Sequence, residues 1–266
     1  MSQEVSKDQI RQNVRSRYKE IAVQEMGASS CCSDSRNVTS TSGASAQLGY
    51  SPEELTMVPD GANLGLGCGN PQAIAALKPG EVVLDLGSGG GFDCFLASRK
   101  VGQTGRVIGV DMTPEMVSRA RHNANKGGFV NTEFRLGEIE YLPVPDQTVD
   151  VIMSNCVINL STDKQLVFDE AFRVLNSGGR LAISDIVTTA ELPDPIKNDQ
   201  DQMYAGCISG ASSINEIKRM LIQSGFQDIE IETKNESKAF IKDWVPGQQI
   251  ENYIISAVIQ AVKPQI

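Results

Sequence analysis

Histidine is nearly absent from this chain of 266 residues: His122 is the only one. It falls inside the helical pattern of residues 114–126, where a solvated or packed side chain is the ordinary reading. This argues against an ordinary hydrolytic or proton-transfer site organised around an imidazole base. No apolar run approaches the roughly 18 residues of a membrane span. The opening MSQEVSKDQIRQ lacks the apolar core of a secretory signal. Excess basic charge is missing too. Lys and Arg number 24 against 33 Asp and Glu, a formal net charge of −9 spread along the chain, which argues against a nucleic-acid partner. The expectation is a soluble, cytoplasmic, monomeric protein with no membrane or nucleic-acid partner and with reduced cysteines. Finally, none of the six cysteines (Cys31, Cys32, Cys68, Cys94, Cys156 and Cys207) sits in a CxxC pair. A zinc ribbon or thioredoxin-like motif has no support.

What the chain does contain is organised around VVLDLGSGGG at 82–91. Val82, Val83 and Leu84 lack polar alternation and predict a buried strand. Asp85 and the glycines at 87, 89, 90 and 91 predict a nearly bare turn, and FDCFLASRK a following helix. Such a turn lets a ligand lie against backbone at a helix N-terminus.

Upstream, Ile10, Val14, Tyr18 and Ile21 recur at helical spacing and predict an amphipathic helix over 6–23. Residues 27–49 are rich in Ser, Gly and Thr, carry Cys31 and Cys32, and predict a loop. Ser51-Pro52-Glu53-Glu54 is a capping box with Pro at the first helical position. A second glycine-dense loop, 61–69, ends near Cys68, and Asn70-Pro71 opens another short helix. From Glu81 strands are predicted at 81–87, 106–111, 132–136, 149–154 and 180–187. Helices are predicted between them at 92–101, 114–126 and 163–175, with Asn176–Gly179 as the stop of the last one.

This alternation predicts an α/β fold with a doubly wound, mostly parallel sheet. Beyond Val187 the pattern gives a loop at LPDP, short helices near 199–206 and 213–224, and strands at 227–233 and 253–262. They suggest a smaller C-terminal α+β lobe. The implied organisation is 1–70, helix and cysteine-bearing loops; 71–187, ligand-binding core; and 188–266, C-terminal lobe.

Spacing discriminates among ligands of the glycine turn. A dinucleotide fingerprint G-x-G-x-x-G fails, because Phe92 stands sixth from Gly87. The pattern is D-x-G-x-G-x-G. Asp85, at the tip of the first strand, suits an ammonium group. Asp111, ending the second strand, suits ribose hydroxyls. With Gly137-Glu138-Ile139 after the third strand, these three sites resemble the class I S-adenosylmethionine-dependent methyltransferases. That resemblance implies a Rossmann-like fold, S-adenosylmethionine as methyl donor, and adenine packed at the third site. The expected cofactor contacts are Asp85, Gly87, Ser88, Gly89, Asp111, Met112, Gly137, Glu138, Ile139 and Asn155.

Three cysteines bear on the acceptor. Cys156 follows the fourth strand in SNCVIN, Cys68 lies in the loop before the first strand, and Cys207 lies in AGCISG. Converging thiols suit a soft, thiophilic ion. Cys94, inside the first core helix, reads as structural. The segments NLGLGCGNP, LDLGSGGGFDC, GVDMTPEM, FRLGEIEYLPV, SNCVINL, AGCISGA and FIKDWVPG together resemble the arsenite methyltransferases, from about Tyr50 to the C-terminus.

The resemblance implies As(III), as arsenite or methylarsenite delivered as thiol conjugates, held at Cys68, Cys156 and Cys207. Arsenic is then the substrate, and no metal cofactor is expected. It also implies an N-terminal-loop cysteine that pairs with Cys68 during turnover, reset by thioredoxin or glutathione. Cys31 and Cys32 are both candidates. Vicinal thiols pair poorly with each other, which favours one of them reaching Cys68. The competing readings are a quinone-type C- or O-methyltransferase, which leaves the cysteines without a task, and a non-enzymatic metalloid- or zinc-sequestering protein, which leaves the cofactor turn without one.

Overall fold

The computed structural model describes residues 6–24, 43, 45–197, 207–245 and 247–265. Strand β1 (Val82–Leu86) is apolar on both faces because both faces are covered. It pairs in parallel with β2 (Arg106–Asp111) on one side and β4 (Val149–Asn155) on the other. Alternate residues point to opposite faces. Val83, Val107 and Val151 pack with Phe95 and Val117 in one layer. Leu84, Ile108 and Ile152 pack with Phe168 and Leu221 in the other. The first layer is closed by α4 (Phe92–Val101) and α5 (Pro114–Gly127), the second by α6 (Lys164–Val174) and α8 (Ile214–Ser224).

With β3 (Thr132–Leu136), β5 (Leu175–Thr188), β7 (Gln227–Lys234) and β8 (Ile254–Val262), the sheet runs in the order β3-β2-β1-β4-β5-β8-β7. A two-residue strand, β6 (Ser212–Ser213), pairs with the end of β5. The chain leaves β1 toward β2 and later crosses to β4 on the other side. A crevice therefore opens where the carboxyl ends of β1 and β4 part, the usual ligand position on such sheets.

Two predicted boundaries shift. The helix ends at Val174 and β5 begins at once, with Leu175 opposite Val149 and Arg180 opposite Val151. Asn176–Gly179 is thus an irregularity within the strand as well as a helix stop. The C-terminal strands join the main sheet: β8 runs antiparallel to β5 from Arg180↔Val262 to Thr188↔Ile254, and β7 flanks β8. Ile255, Ala257, Ile259 and Ala261 of β8 belong to the same apolar layer as Leu84 and Ile108. The helix predicted near 199–206 lies outside the described residues.

The short helices obey their local signals. Ser51 caps α2 (Pro52–Thr56) with a reciprocal Glu54 bond, and Ser213 caps α8 with Glu216. The other short helices are α3 (Gln72–Ala75), α7 (Asp194–Lys197) and α9 (Lys238–Ile241). The N-terminal helix α1 (Lys7–Gln24) lies across the crevice. Val14 and Ala22 are buried beneath it, and Arg119 donates to the Ala22 carbonyl at 3.1 Å. At its edges Arg15 pairs with Glu138 at 3.2 Å and Lys19 with Glu115 at 3.3 Å. Among the described residues no helix is long and apolar enough to cross a membrane.

Candidate active site

A cavity of 640 Å³ occupies the crevice. Its floor is the glycine turn. Gly87, Gly89 and Gly91 take φ of 71°, 50° and 93°, the left-handed region that glycine enters without strain. A Cβ at Gly87 would stand 2.1 Å from Val157 Cγ2, so the backbone there has room for nothing larger. Asp111 accepts from Gly89 N at 3.0 Å and Thr113 N at 2.8 Å, which ties β2 to the turn.

Burial raises the Asp111 carboxyl, partly offset by those donors, and raises Asp85 well above the carboxylate range, with Asp93 adding repulsion. Asp93 is pushed to about 6 by burial, against hydrogen bonds from Tyr50 and Asn155. Ser88 Oγ is buried on this floor without a hydrogen-bond partner. An apolar crevice lined by buried carboxylates, bare backbone and an unpaired hydroxyl fits a ligand with a cationic head and several polar groups.

Of the ten expected cofactor contacts, Asp85, Gly87, Ser88, Gly89, Asp111, Met112, Ile139 and Asn155 line the cavity. Gly137 and Glu138 are not among its lining residues. Gly137 packs under Pro143, and Glu138 pairs with Arg11 and Arg15 of α1. Glu140, two residues further, supplies the wall and accepts from Ser161 Oγ at 2.6 Å.

The thiols assemble at the same end of the sheet. Cys68, Cys156 and Cys207 are all buried and unpaired as disulfides. The Cys156 sulfur lies within 4.8 Å of the Cys68 sulfur, and the three thiols perturb one another's ionisation. The Cys207 thiol also donates to the Cys156 carbonyl at 2.9 Å. Cys156 and Cys207 line the cavity, while Cys68 is not among its lining residues and donates to the Ser184 carbonyl at 3.5 Å. Both cavity-lining cysteines hold positive φ, 59° and 64°. Strain of this kind persists only where the surroundings over-determine it, and it concentrates at functional positions.

The Cys68 loop is held by Asn155 at the end of β4. Its Oδ1 accepts from Cys68 N at 3.0 Å, and its Nδ2 donates to Gly69 O at 2.8 Å and Tyr50 Oη at 3.1 Å. Gly67 is obligatory there, since a Cβ would meet the Asn155 amide at 2.8 Å. Burial pushes Cys68 up to about 11, and Cys156 and Cys207 are also well above the ordinary thiol value. All three are neutral thiols at physiological pH. Cys94 is buried in α4, where its thiol donates to Asp85 at 3.2 Å. His122 is exposed. Cys31 and Cys32 lie outside the described residues.

Sequence reasoning passed over Asp185. At the carboxyl end of β5, it lies with the Cys68 and Cys156 sulfurs in a group whose ligand atoms are all within 4.8 Å of one another. It accepts from Ile158 N at 2.9 Å, Asn159 Nδ2 at 2.8 Å and Ile186 N at 2.7 Å. The signal was available: Asp85 and Asp111 drew notice for ending their strands, and Asp185 falls near the end of a strand in the same sheet. Tyr18 and Trp244, which also line the cavity, had no such signal.

The strand order, the glycine turn after β1 and the carboxylate after β2 define a class I S-adenosylmethionine-dependent methyltransferase. The sequence model of a methyltransferase-domain family matches residues 77–225. The chain is 51% identical to the arsenite methyltransferase of Halobacterium salinarum, over 97% of this chain and 67% of that protein. It is 40% identical to the human arsenite methyltransferase, over 58% of this chain but 43% of the human one. The crystal structure of an arsenic(III) S-adenosylmethionine methyltransferase from Chlamydomonas reinhardtii superposes with a TM-score of 0.63. It is 34% identical, covering 84% of this chain and 73% of that one. The chain belongs to the arsenite methyltransferase family.

Proposed function

We infer that this protein transfers methyl groups from S-adenosylmethionine to As(III), first as arsenite and then as methylarsenite, and so detoxifies arsenic. The observation that carries the reading is the meeting of Cys68, Cys156 and Cys207, from three distant segments, at the edge of a cavity that suits the methyl donor.

The chemistry asks little of a base. Trivalent arsenic has a lone pair, so no proton need be removed to create a nucleophile, and a chain with one exposed histidine lacks nothing. Three neutral thiols take arsenite with loss of three waters, or take a thiol conjugate with loss of three thiols. Each S–H proton leaves on the departing group and no free proton is released. S-adenosylmethionine, when bound, supplies an electrophilic methyl group. Asp85, Asp111, Ser88 and the glycine turn would hold it, and the strained backbone at Cys156 and Cys207 would aim the acceptor. Positioning of this kind can supply on the order of 7–11 kcal/mol.

Methylation raises arsenic to the pentavalent state. Two electrons return it to As(III), and oxidation of Cys68 with Cys31 or Cys32 to a disulfide provides them. Thioredoxin or glutathione then reduces the disulfide. In this reading the N-terminal segment brings the reductant thiol, residues 71–187 bind the donor, and the C-terminal segment brings Cys207. All three lie in one chain, as a monomeric enzyme requires.

The test is Cys156→Ser and Cys207→Ser. Either variant should lose methylation of both arsenite and methylarsenite while binding S-adenosylhomocysteine normally in calorimetry. Retained turnover in either removes the three-thiol site. Replacing both Cys31 and Cys32 should spare methylarsenite and cripple arsenite conversion, and equal loss of both steps argues against the disulfide shuttle.

A further inference from the structure

We propose that Asp185 completes, with Cys68 and Cys156, a binding site for a thiophilic divalent cation, zinc above all. Among the described residues, these three form the one group whose ligand atoms converge closely enough to hold a metal ion, all within 4.8 Å of one another. Two thiolates and a carboxylate are a donor set that zinc takes readily. Tetrahedral coordination at about 2.0–2.3 Å places ligand atoms about 3.3–3.8 Å apart. The cluster therefore needs to contract by about 1 Å, within the reach of side-chain rotation.

The carboxylate is built into its place. Three N–H donors from Ile158, Asn159 and Ile186 fix both of its oxygens and leave lone-pair capacity for one further partner. Such outer hydrogen bonds are how proteins orient metal-binding carboxylates. The fourth position falls to water from the cavity that Cys156 lines. On binding, two Zn–S bonds and one Zn–O bond form and two thiol protons leave to solvent. Nothing is oxidised or reduced.

The cation and the metalloid ask different things of the cluster. As(III) is satisfied by three sulfurs in a pyramid, which recruits Cys207 and leaves Asp185 without a bond to arsenic. Zinc uses the carboxylate and does not need Cys207. Because Cys68 and Cys156 are common to both, zinc excludes arsenic. That competition rests on the arsenic reading above, whereas cation binding stands without it, so the two can fail separately.

The full-length reduced protein is titrated with zinc chloride, and with cobalt(II) chloride as a spectroscopic stand-in. One equivalent should bind, and the cobalt form should show thiolate charge-transfer absorbance with the strong visible bands of a tetrahedral site. Cys156→Ser and Asp185→Asn should each weaken zinc by more than about 100-fold, beyond the loss of an outer hydrogen-bond partner. Cys207→Ser should keep zinc binding while losing the thiolate–arsenic absorbance, which secures the test even if Asp185→Asn folds poorly. In the wild type, zinc should raise the apparent Kd for As(III) in proportion to its concentration. Wild-type zinc affinity in Asp185→Asn, loss of zinc in Cys207→Ser, or binding lost only on replacing Cys31 and Cys32 overturns the site.

Discussion

Asn155→Ala removes the strut that joins β4 to the Cys68 loop, and the consequence can be worked out. The wild-type amide accepts from Cys68 N and donates to the Gly69 carbonyl and to Tyr50, at 3.0, 2.8 and 3.1 Å. Alanine deletes these bonds and leaves the Cys68 N–H and the Gly69 carbonyl without their partner. Each net hydrogen bond is worth about 0.5–1.5 kcal/mol, and an orphaned buried group costs about 1–3 kcal/mol. The expected loss is about 2–4 kcal/mol. If it is confined to the loop that places Cys68, As(III) affinity falls by about 30- to 700-fold at 1.4 kcal/mol per decade. Urea denaturation reads the stability, and the thiolate–arsenic absorbance reads the Kd. Gly67→Ala attacks the same contact from the other side and should match it. Unchanged stability refutes the strut. Lost stability with unchanged As(III) affinity refutes the claim that the strut positions Cys68.

Gly87→Ala should weaken S-adenosylhomocysteine at least about tenfold in calorimetry, because a Cβ at φ 71° would also overlap Val157. Val157→Ala in that background should recover part of the loss, and no recovery would rule out the steric account. Phe168→Ala, at a fully buried position, should cost about 3–5 kcal/mol in denaturant unfolding, and a cost under about 1 kcal/mol would mean that the core repacks.

The unliganded protein should become more stable as pH falls from 7.5 to 5. Asp93 and Asp185 titrate at about 6 when folded, against 3.8 for the free carboxyl. The folded state therefore takes up protons first, and the penalty of two buried carboxylates is relieved as pH drops through 6. Glu81, Glu133, Glu170 and Glu216 have lowered values, so their contribution is lost only at more acid pH. Urea midpoints that fall steadily from pH 7.5 to 5 would contradict this balance.

Much of the donor half was legible without coordinates, because its determinants are local. The glycines at 87, 89 and 91 announce positive φ in the chain itself, Asp85 and Asp111 follow directly on strand runs, and the capping serines 51 and 213 sit beside the glutamates they bond. Alternating strands and helices were enough to call for a mostly parallel sheet. The thiol half was legible only as three cysteines in polar loops. That Cys156 meets the other two thiols, that Asp185 joins Cys68 and Cys156, and that Asn155 serves the Cys68 loop depend on segments far apart in the chain, Cys68 and Asn155 by 87 residues and Cys156 and Cys207 by 51.

Tertiary structure also decided matters that local patterns read differently. Residues 227–262 show the pattern of a small α+β lobe, yet β8 pairs its backbone with the edge of β5 and its apolar side chains join the layer of Leu84 and Ile108, so the sheet continues. Glu138 follows a strand like its neighbours, yet it pairs with Arg11 and Arg15 of α1, and it is Glu140 that lines the cavity. Periodicity and backbone conformation are properties of neighbours in the chain, and the sequence by itself determined them. Which buried groups meet is settled by how the layers close over one another, and that the folded chain alone decided.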